Sequence, residues 1–224
     1  PITIFFLSDE VGNNQKWLDL QKYSKLFFRQ YNHKHYNYAP NNYQIPLGYI
    51  KYFLLSKPLL NTKVSKINER IYSCSFVGTL KSDRRVMCNL FNNNFNNTKI
   101  ITTQTNWANP AQQTILPKDL FDIYSNSIFV INGRGNISLD CFRLYEAIIS
   151  GAIPVIVGDI NETDITFKYD NYKPKFVIGK DWNDAVILCK KLLDNKKKKK
   201  KIQDYNTKWY KDQITIIQEN IRNL

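Results

Sequence analysis

The sequence predicts an α/β protein built on a parallel β-sheet. Short apolar segments recur along the chain, segments of helical length separate them, and the alternation is most regular from residue 72 onward. Apolar strands joined by helices are typical of a parallel sheet that helices cover on both faces. We therefore expect a Rossmann-like parallel sheet in the C-terminal part of the chain, preceded by a shorter α/β region.

The composition is that of a folded chain. Of its 224 residues, 43% are hydrophobic and 14% are aromatic, and the mean hydropathy of −0.43 suits a soluble protein. No apolar run approaches the ~18 residues of a membrane span. The segment after Pro1 has neither the basic start nor the small-residue cleavage site of a signal peptide. We expect neither feature in this sequence.

The chain is strongly basic, with a formal net charge of +13. Six of these charges form the lysine run 196–201, which leaves +7 on the other residues. Like-charge runs usually stay solvated, so we interpret the run as a solvated helix connection. Binding to nucleic acid rests on charge alone, and we do not expect nucleic acid as the partner.

Cysteine and histidine form no metal-binding pattern. The four cysteines are far apart without a Cys-x-x-Cys pair, and a reduced compartment explains them most simply. His33 and His35 are two residues apart, which places both on one side of a predicted strand, but the other ligands of a metal ion are not found. We expect surface histidines and no metal site.

Residues 1–65 are predicted to form a partial α/β region that ends in a linker. The expected elements are strands over 2–7 and 24–31 and a short helix over 14–23. Prolines and a Pro-Leu-Gly turn interrupt the chain near 46–48. The polar stretch 56–71 has weak periodicity and is the candidate linker.

Residues 66–224 are predicted to form the larger domain, with strands and helices in regular alternation. The expected strands cover 72–78, 99–103, 128–133, 153–157 and 175–178. The expected helices cover 82–95 with Ser82 as N-cap, 117–127, 139–150, 181–195 and 203–223.

The stretch 128–150 predicts a binding site where a strand passes into a helix. Ligands of open α/β sheets bind beyond the carboxyl ends of the strands. Gly133 and Gly135 would let backbone N–H groups approach a ligand, and the start of a helix near Ser138 favours phosphate. Arg134 and Arg143 would then contact a diphosphate.

The same stretch has a purely structural interpretation. Ser138 would only cap the helix. Arg143 and Glu146, three residues apart on one helix face, would form an ordinary i,i+3 pair. Asp140, in the expected first turn, would satisfy the helix dipole and repel an inward phosphate. Spacing alone leaves both interpretations open.

The block "SLDCFRLYEAIISGAIPVIVGD" resembles exostosin-type glycosyltransferases. Their helix motif Ser-x-Arg-x-x-Glu-Ala and the following Gly-x-Ile-Pro-Val match Arg143, Glu146, Ala147, Gly151, Ile153, Pro154 and Val155. "YSCSFVGTLKSDRR" is similar to the start of the family's C-terminal domain. "FFLSDE", "FFRQY" and "IPLGY" resemble N-terminal parts of exostosin-like proteins from protists and large DNA viruses.

The resemblance implies a GT-B fold, in which two Rossmann-like domains face each other and the C-terminal one holds a nucleotide sugar, most simply a UDP-sugar. Carried onto this chain, Glu146 would contact the ribose. Arg143 and the loop 133–138, with Asn136, would lie against the base, ribose or pyrophosphate. Gly78 and Arg84 follow as candidates for the diphosphate, although Arg84 is equally well a surface residue. A donor site of this type requires no metal ion or other cofactor.

The sequence departs from the family on the acceptor side. Ala152 stands where members often have cysteine, and residues 1–65 supply about half of an N-terminal Rossmann domain. An inverting transfer needs a general base near the acceptor. Asp9 and Glu10 are the candidates for this base. Alternatively, they are solvated acidic residues of a turn. Arg29 and Tyr31 are candidates to line the acceptor side of the cleft.

The resemblance therefore implies an inverting glycosyltransferase that transfers a sugar to a glycan or glycoprotein hydroxyl. The alternative is a catalytically inactive relative that binds a nucleotide or glycan. We expect a cytoplasmic location. If a membrane anchor precedes Pro1, a Golgi-type lumen is expected instead.

Overall fold

The computed structural model describes residues 2–7, 9–49, 65–103, 115–167, 169 and 172–223. Within them the chain forms two parallel β-sheets with helices around them. The predicted α/β class is confirmed, and the architecture is consistent with a Rossmann-like domain of GT-B type. The linker predicted over 56–71 lies largely outside the described residues.

The N-terminal sheet has three parallel strands in the order β1-β2-β3. They are β1 (Ile2–Phe6), β2 (Ser24–Arg29) and β3 (Asn42–Gln44), with α1 (Gln15–Leu18) and a 3-10 helix (Asp19–Tyr23) between the first two. Leu18, Phe27 and Tyr36 form a small core on this sheet. Strand β3 was not predicted, because prolines punctuate this part of the sequence.

The C-terminal sheet has five parallel strands in the order β5-β4-β6-β7-β8. They are β4 (Tyr72–Gly78), β5 (Thr98–Thr102), β6 (Ser127–Ile131), β7 (Ile153–Val157) and β8 (Val177–Gly179). The helices are α2 (Arg84–Asn94), α3 (Pro117–Ser125), α4 (Phe142–Ile149), α5 (Ile160–Thr166), α6 (Trp182–Leu193) and α7 (Lys196–Arg222).

Helices cover both faces of this sheet because the strands are apolar on both sides. Successive residues of β6 point to opposite faces: Phe129 and Ile131 pack with α2 and α6, whereas Val130 packs with α3, α4 and α7. All three side chains are fully buried. Two buried faces explain why the strand reads as a continuous apolar run.

Several predicted boundaries are wrong. The N-cap position of α2 is Asp83, whose side chain makes no capping hydrogen bond, and Ser82 lies before it with a φ of 52°. Helix α4 begins at Phe142, after an N-cap at Cys141, and not near Ser138. The lysine run is not a connection, because α7 begins at Lys196 and includes it. His33 and His35 lie in the loop after β2 rather than on a strand. Helix α5 was missed.

The N-terminal segment packs against the C-terminal sheet. Leu47 is buried in the same core cluster as residues of α3, α4 and α7. The Gln44 side-chain amide, 4% exposed, donates a hydrogen bond to the carbonyl oxygen of Thr166 at 2.7 Å. Across the described part of the chain, no helix combines the length and apolar character needed to cross a bilayer.

Arg70, which precedes β4, connects the start of the C-terminal sheet to α3, α4 and β6 through hydrogen bonds. Its side chain is 7% exposed, and its guanidinium donates hydrogen bonds to the carbonyl oxygens of Ser127 at 2.7 Å, Ser150 at 2.8 Å and Tyr124 at 3.3 Å. These carbonyls belong to the ends of α3 and α4 and the start of β6, so one side chain satisfies acceptors from three elements.

Replacing Arg70 with alanine is expected to lower the free energy of unfolding by about 3 kcal/mol, because buried carbonyl oxygens lose their donors. Urea unfolding followed by circular dichroism measures the change. Arg85→Ala on the exposed side of α2 is the matched control, with an expected effect within about 0.5 kcal/mol. Equal effects of the two substitutions would contradict this role for Arg70.

Candidate anion-binding site at the carboxyl edge of the sheet

The strand order creates a crevice between the ends of β4 and β6. These strands are neighbours, but β4 leads to β5 on one side and β6 leads to β7 on the other. This is the doubly wound arrangement in which the loops after the two central strands diverge and ligands bind between them. The loops after Gly78 and Ile131 carry most of the predicted donor-site residues.

Arg84 lies beneath the loop that follows β6. It is 5% exposed. Its Nη1 donates to the carbonyl oxygen of Thr79 at 3.1 Å, and its Nη2 donates to the carbonyl oxygens of Arg134 and Gly135. A Cβ atom at Gly133 would lie 2.5 Å from Cγ of Arg84. Gly133 is therefore required for the passage of this arginine, which holds the loop from below.

Arg143 brings a second guanidinium to the same crevice. It lies in the first turn of α4, and its Nε donates to the carbonyl oxygen of Val77 at 3.2 Å. The guanidinium lies 4.9 Å from the centre of the Phe76 ring. Gly78 has a φ of 157°, and a Cβ there would lie 2.8 Å from Nη2 of Arg143. Gly78 thus makes room for Arg143.

Three cations share this edge, and among the described residues none of them has a carboxylate partner in ion-pair distance. Lys81, Arg84 and Arg143 take part in none of the ion pairs formed by the described residues. Burial and then repulsion from Arg84 lower the pKa of Lys81, and burial and then repulsion from Arg143 lower the pKa of Arg84. Mutually repelling cations favour an anion between them. Sequence reasoning missed Lys81, although it lies only three residues after the end of β4.

The loop 135–138 forms a concave set of N–H donors, and the Glu10 carboxylate occupies it. Oε1 of Glu10 accepts hydrogen bonds from the backbone N–H groups of Asn136 at 2.5 Å, Ile137 at 2.8 Å and Ser138 at 3.1 Å. Oε2 accepts from the side-chain amide of Asn136 at 3.0 Å. Successive N–H groups that converge in this way bind anions. We call the N–H groups of 136–138 the anion nest.

Two neighbours shape the anion nest. Lys81 donates from Nζ to the side-chain carbonyl of Asn136 at 2.5 Å, which turns the Asn136 amide group toward Glu10. A Cβ atom at Gly135 would lie 2.5 Å from Oε1 of Glu10. Glycine at 135 therefore leaves the space that the anion fills.

The two predicted catalytic carboxylates have different surroundings. Asp9, with a φ of 88°, accepts hydrogen bonds from the Asn13 N–H at 3.1 Å, the Asn14 amide at 2.8 Å and the Tyr36 hydroxyl at 2.7 Å. Its side chain therefore organises a turn. His33 Nε2 lies 2.8 Å from the Asp9 carbonyl oxygen and supports the same turn. Only Glu10 reaches the loops of the C-terminal sheet.

Three predicted donor-site residues have other contacts or surroundings. Arg134 forms an ion pair with Glu162 of α5, with Nη2 donating to Oε2 at 2.7 Å. The Ser138 hydroxyl accepts from the Asp140 N–H at 3.0 Å and shapes the turn before the helix. Glu146 is 2% exposed within α4, where its charge acts on Arg143.

Of the predicted acceptor-side residues, Tyr31 lies near this edge and Arg29 contacts Tyr31. The Arg29 guanidinium stacks 3.7 Å from the centre of the Tyr38 ring and donates from Nη1 to the Tyr31 carbonyl oxygen at 3.0 Å. Burial, followed by the charges of Glu10 and Asp140, raises the pKa of the Tyr31 phenol. Tyr31 is thus close enough to both carboxyl groups for their charges to act on it.

Asp140 is a buried carboxyl group that sequence reasoning placed wrongly, in the first turn of the helix. It is 1% exposed and lies before α4. Oδ1 accepts a hydrogen bond from the Tyr145 hydroxyl at 2.7 Å, which in turn lies 2.7 Å from the Tyr169 hydroxyl. Oδ2 has no hydrogen-bond partner among the described residues. Burial raises the pKa of this carboxyl to about 8.

The described residues contain no group of three or more His, Cys, Asp or Glu side chains that could hold a metal ion. The fold and the site define an α/β domain in which backbone N–H donors and cationic side chains converge at the switch point of the sheet. Residues 56–223 match the family described as RXYLT1 C-terminal domain, over well more than half of the chain. The chain belongs to this family, a xylosyltransferase-related, exostosin-like glycosyltransferase family.

The exostosin-like family prediction is confirmed by this match, whereas the likeness to members from protists or large DNA viruses stays a prediction. A search of the curated proteins gave no match.

The pKa of Asp140 predicts an unusual dependence of stability on pH. Between its ordinary pKa of 3.8 and the folded value of about 8, the folded protein retains a proton that the unfolded chain has released. The free energy of unfolding should therefore fall as pH rises from about 5 to about 8, by at most about 1.4 kcal/mol per pH unit.

Urea unfolding at several pH values tests this expectation. Asp140→Asn keeps the shape and removes the titration, so its stability should lose most of the pH slope and exceed that of the wild type at pH 8. Asp122→Asn on the exposed face of α3 should keep the wild-type slope. Parallel pH profiles for the wild type and Asp140→Asn would contradict the assignment.

Proposed function

We propose that this protein is a glycosyltransferase that transfers a sugar from a nucleotide-sugar donor, a UDP-sugar, to a hydroxyl of a glycan or glycoprotein. The observation that carries the proposal is the convergence of the anion nest with Lys81, Arg84 and Arg143 at the switch point of the sheet. Membership of a glycosyltransferase-related family supports it.

The diphosphate of the donor would bind at this edge. One phosphate would accept hydrogen bonds from the N–H groups of Asn136 to Ser138, in the way that the Glu10 carboxylate accepts them. Arg84 and Arg143 would stabilise its charge, since the Arg84 guanidinium lies under the loop after β6 and the Arg143 guanidinium lies against the end of β4. Glu146 remains our candidate to accept a hydrogen bond from the ribose.

The chemistry follows from the charge at this edge. The bond between the anomeric carbon and the diphosphate oxygen breaks, and the acceptor oxygen attacks the opposite face of the sugar, which inverts the configuration. Negative charge develops on the leaving diphosphate, where fixed N–H groups and cations stabilise it. The acceptor hydroxyl loses its proton to a base.

Glu10 is the better of the two candidate bases. Both carboxylate oxygens of Asp9 accept hydrogen bonds within the turn that it organises. Glu10 stands at the entrance of the crevice, with its charge acting on Tyr31, and it could accept the proton once it has left the anion nest. Arg29 and Tyr31 would line the acceptor side.

A second function is favoured by the same contact. While Glu10 occupies the anion nest, a donor diphosphate cannot bind there. This is expected of an inactive relative that retains the fold and binds a nucleotide or glycan weakly. Turnover separates the two functions, because only the enzyme releases UDP from a UDP-sugar in the presence of an acceptor.

Titration calorimetry with UDP tests the proposed site. We expect binding that Lys81→Ala weakens about tenfold, equivalent to ~1.4 kcal/mol, because one cation is lost and Asn136 is released. Arg143→Ala should abolish binding, provided that thermal unfolding shows an intact fold. Lys191→Ala, exposed at the far end of α6, should bind UDP like the wild type.

Absence of UDP binding in all variants, together with salt-dependent binding to DNA or RNA, would contradict the proposal. An affinity for UDP that neither Lys81→Ala nor Arg143→Ala changes would show that the nucleotide binds outside this edge of the sheet.

A further inference from the structure

We propose that Glu10 is an intramolecular ligand of the anion nest, which closes the donor site until a diphosphate displaces it. The proposal rests on the proposed function for the identity of the displacing ligand. It goes beyond that function because it assigns the N-terminal segment a regulatory contact with the C-terminal sheet.

The contacts of Glu10 are those that a phosphate group would make. Three successive backbone N–H groups converge on one carboxylate oxygen, at 2.5, 2.8 and 3.1 Å, and an amide group donates to the other oxygen at 3.0 Å. N–H groups in this arrangement recognise anionic oxygen regardless of the atom that carries it. A carboxylate and a phosphate therefore compete for the same donors.

The space at the nest admits only one of the two ligands. Gly135 allows the Glu10 carboxylate to approach so closely that a Cβ there would lie 2.5 Å from Oε1. A phosphate oxygen in the same position would overlap with Oε1. The donor diphosphate can use the nest only after the Glu10 side chain has moved away.

The turn that carries Glu10 is held independently of the nest. Asp9 binds Asn13, Asn14 and Tyr36, and the His35 ring lies 3.0 Å from the Gly12 carbonyl oxygen. None of these contacts involves the Glu10 carboxylate. Rotation of one partly exposed side chain is therefore sufficient to open the site, without unfolding of the turn.

Electrostatics favours the exchange of Glu10 for a diphosphate. Glu10 forms no ion pair among the described residues, so its departure breaks N–H hydrogen bonds and gives up its longer-range attraction to Lys81. A diphosphate carries more negative charge than a carboxylate, and it would lie near Lys81, Arg84 and Arg143. Because only the open form binds the diphosphate, the apparent affinity equals the affinity of the open form multiplied by the fraction of protein that is open.

Titration calorimetry with inorganic pyrophosphate tests the proposal without a nucleoside. Glu10→Gln removes the charge and Glu10→Ala removes the ligand, and each should bind pyrophosphate about tenfold or more tightly than the wild type, because the closed form dominates in the wild type. Glu219→Gln, which removes one remote exposed charge, should bind like the wild type. Adding Gly135→Ala to Glu10→Ala should abolish the gain, because the new Cβ fills the nest.

Thermal shifts check the same prediction in a form that tolerates altered stability. Each variant is compared with its own ligand-free unfolding temperature, and pyrophosphate should raise that temperature more in Glu10→Ala than in the wild type. Unchanged or weaker pyrophosphate binding by both Glu10 variants would overturn the proposal. Tighter binding that persists in the double variant with Gly135→Ala would also overturn it, since the gain would then arise outside the nest.

Parallel titrations with UDP separate this proposal from the proposed function. If pyrophosphate binding tightens in Glu10→Ala but no variant binds UDP, Glu10 is a ligand of the nest and the nucleotide-sugar function fails. If UDP binds the wild type and the Glu10 variants equally, the site holds a nucleotide and the closure by Glu10 is wrong.

Discussion

Accumulated positive charge at the carboxyl edge of β4 and β6 is the constraint on which the rest of the structure depends. The doubly wound topology brings two loops together there, and among the described residues Lys81, Arg84 and Arg143 take part in no ion pair. The mutual repulsion of these cations favours an anion at this edge. Glu10 supplies that anion from the N-terminal segment, and its contacts join the two sheets at the site.

Three glycines make this arrangement possible, each by a close approach. Gly78 accommodates the guanidinium of Arg143, Gly133 accommodates the stem of Arg84, and Gly135 accommodates the carboxylate of Glu10. Arg84 therefore lies under the loop after β6 and donates to carbonyl oxygens of both loops, whereas Arg143 donates to the carbonyl oxygen of Val77 at the end of β4. Together they place positive charge at this edge of the sheet.

The sequence predicted the C-terminal sheet well because both faces of its strands are buried. Strands 72–78 and 153–157 have the predicted bounds, since apolar runs between glycines or polar residues leave little freedom. Local capping signals were less reliable. Ser138 begins a turn and does not cap the helix. Its hydroxyl accepts a hydrogen bond from the N–H of the buried Asp140, and α4 begins only at Phe142.

The position of the candidate site was predictable, but its occupant was not. Glycines and arginines near strand ends indicate the crevice, since parallel strands end at one edge. The contact between Glu10 and Asn136 joins residues 126 positions apart, so no local pattern encodes it. The same holds for Arg134, whose partner Glu162 belongs to a helix that the sequence did not reveal.

The most direct test is an NMR titration of the wild-type protein with UDP, followed through its backbone amide resonances. If the carboxyl edge is the donor site, the largest shifts fall on the amides of 135–138 and of 78–81, and they saturate together. Shifts confined to other surfaces, such as the groove between residues 66–69 and α7, would contradict the account.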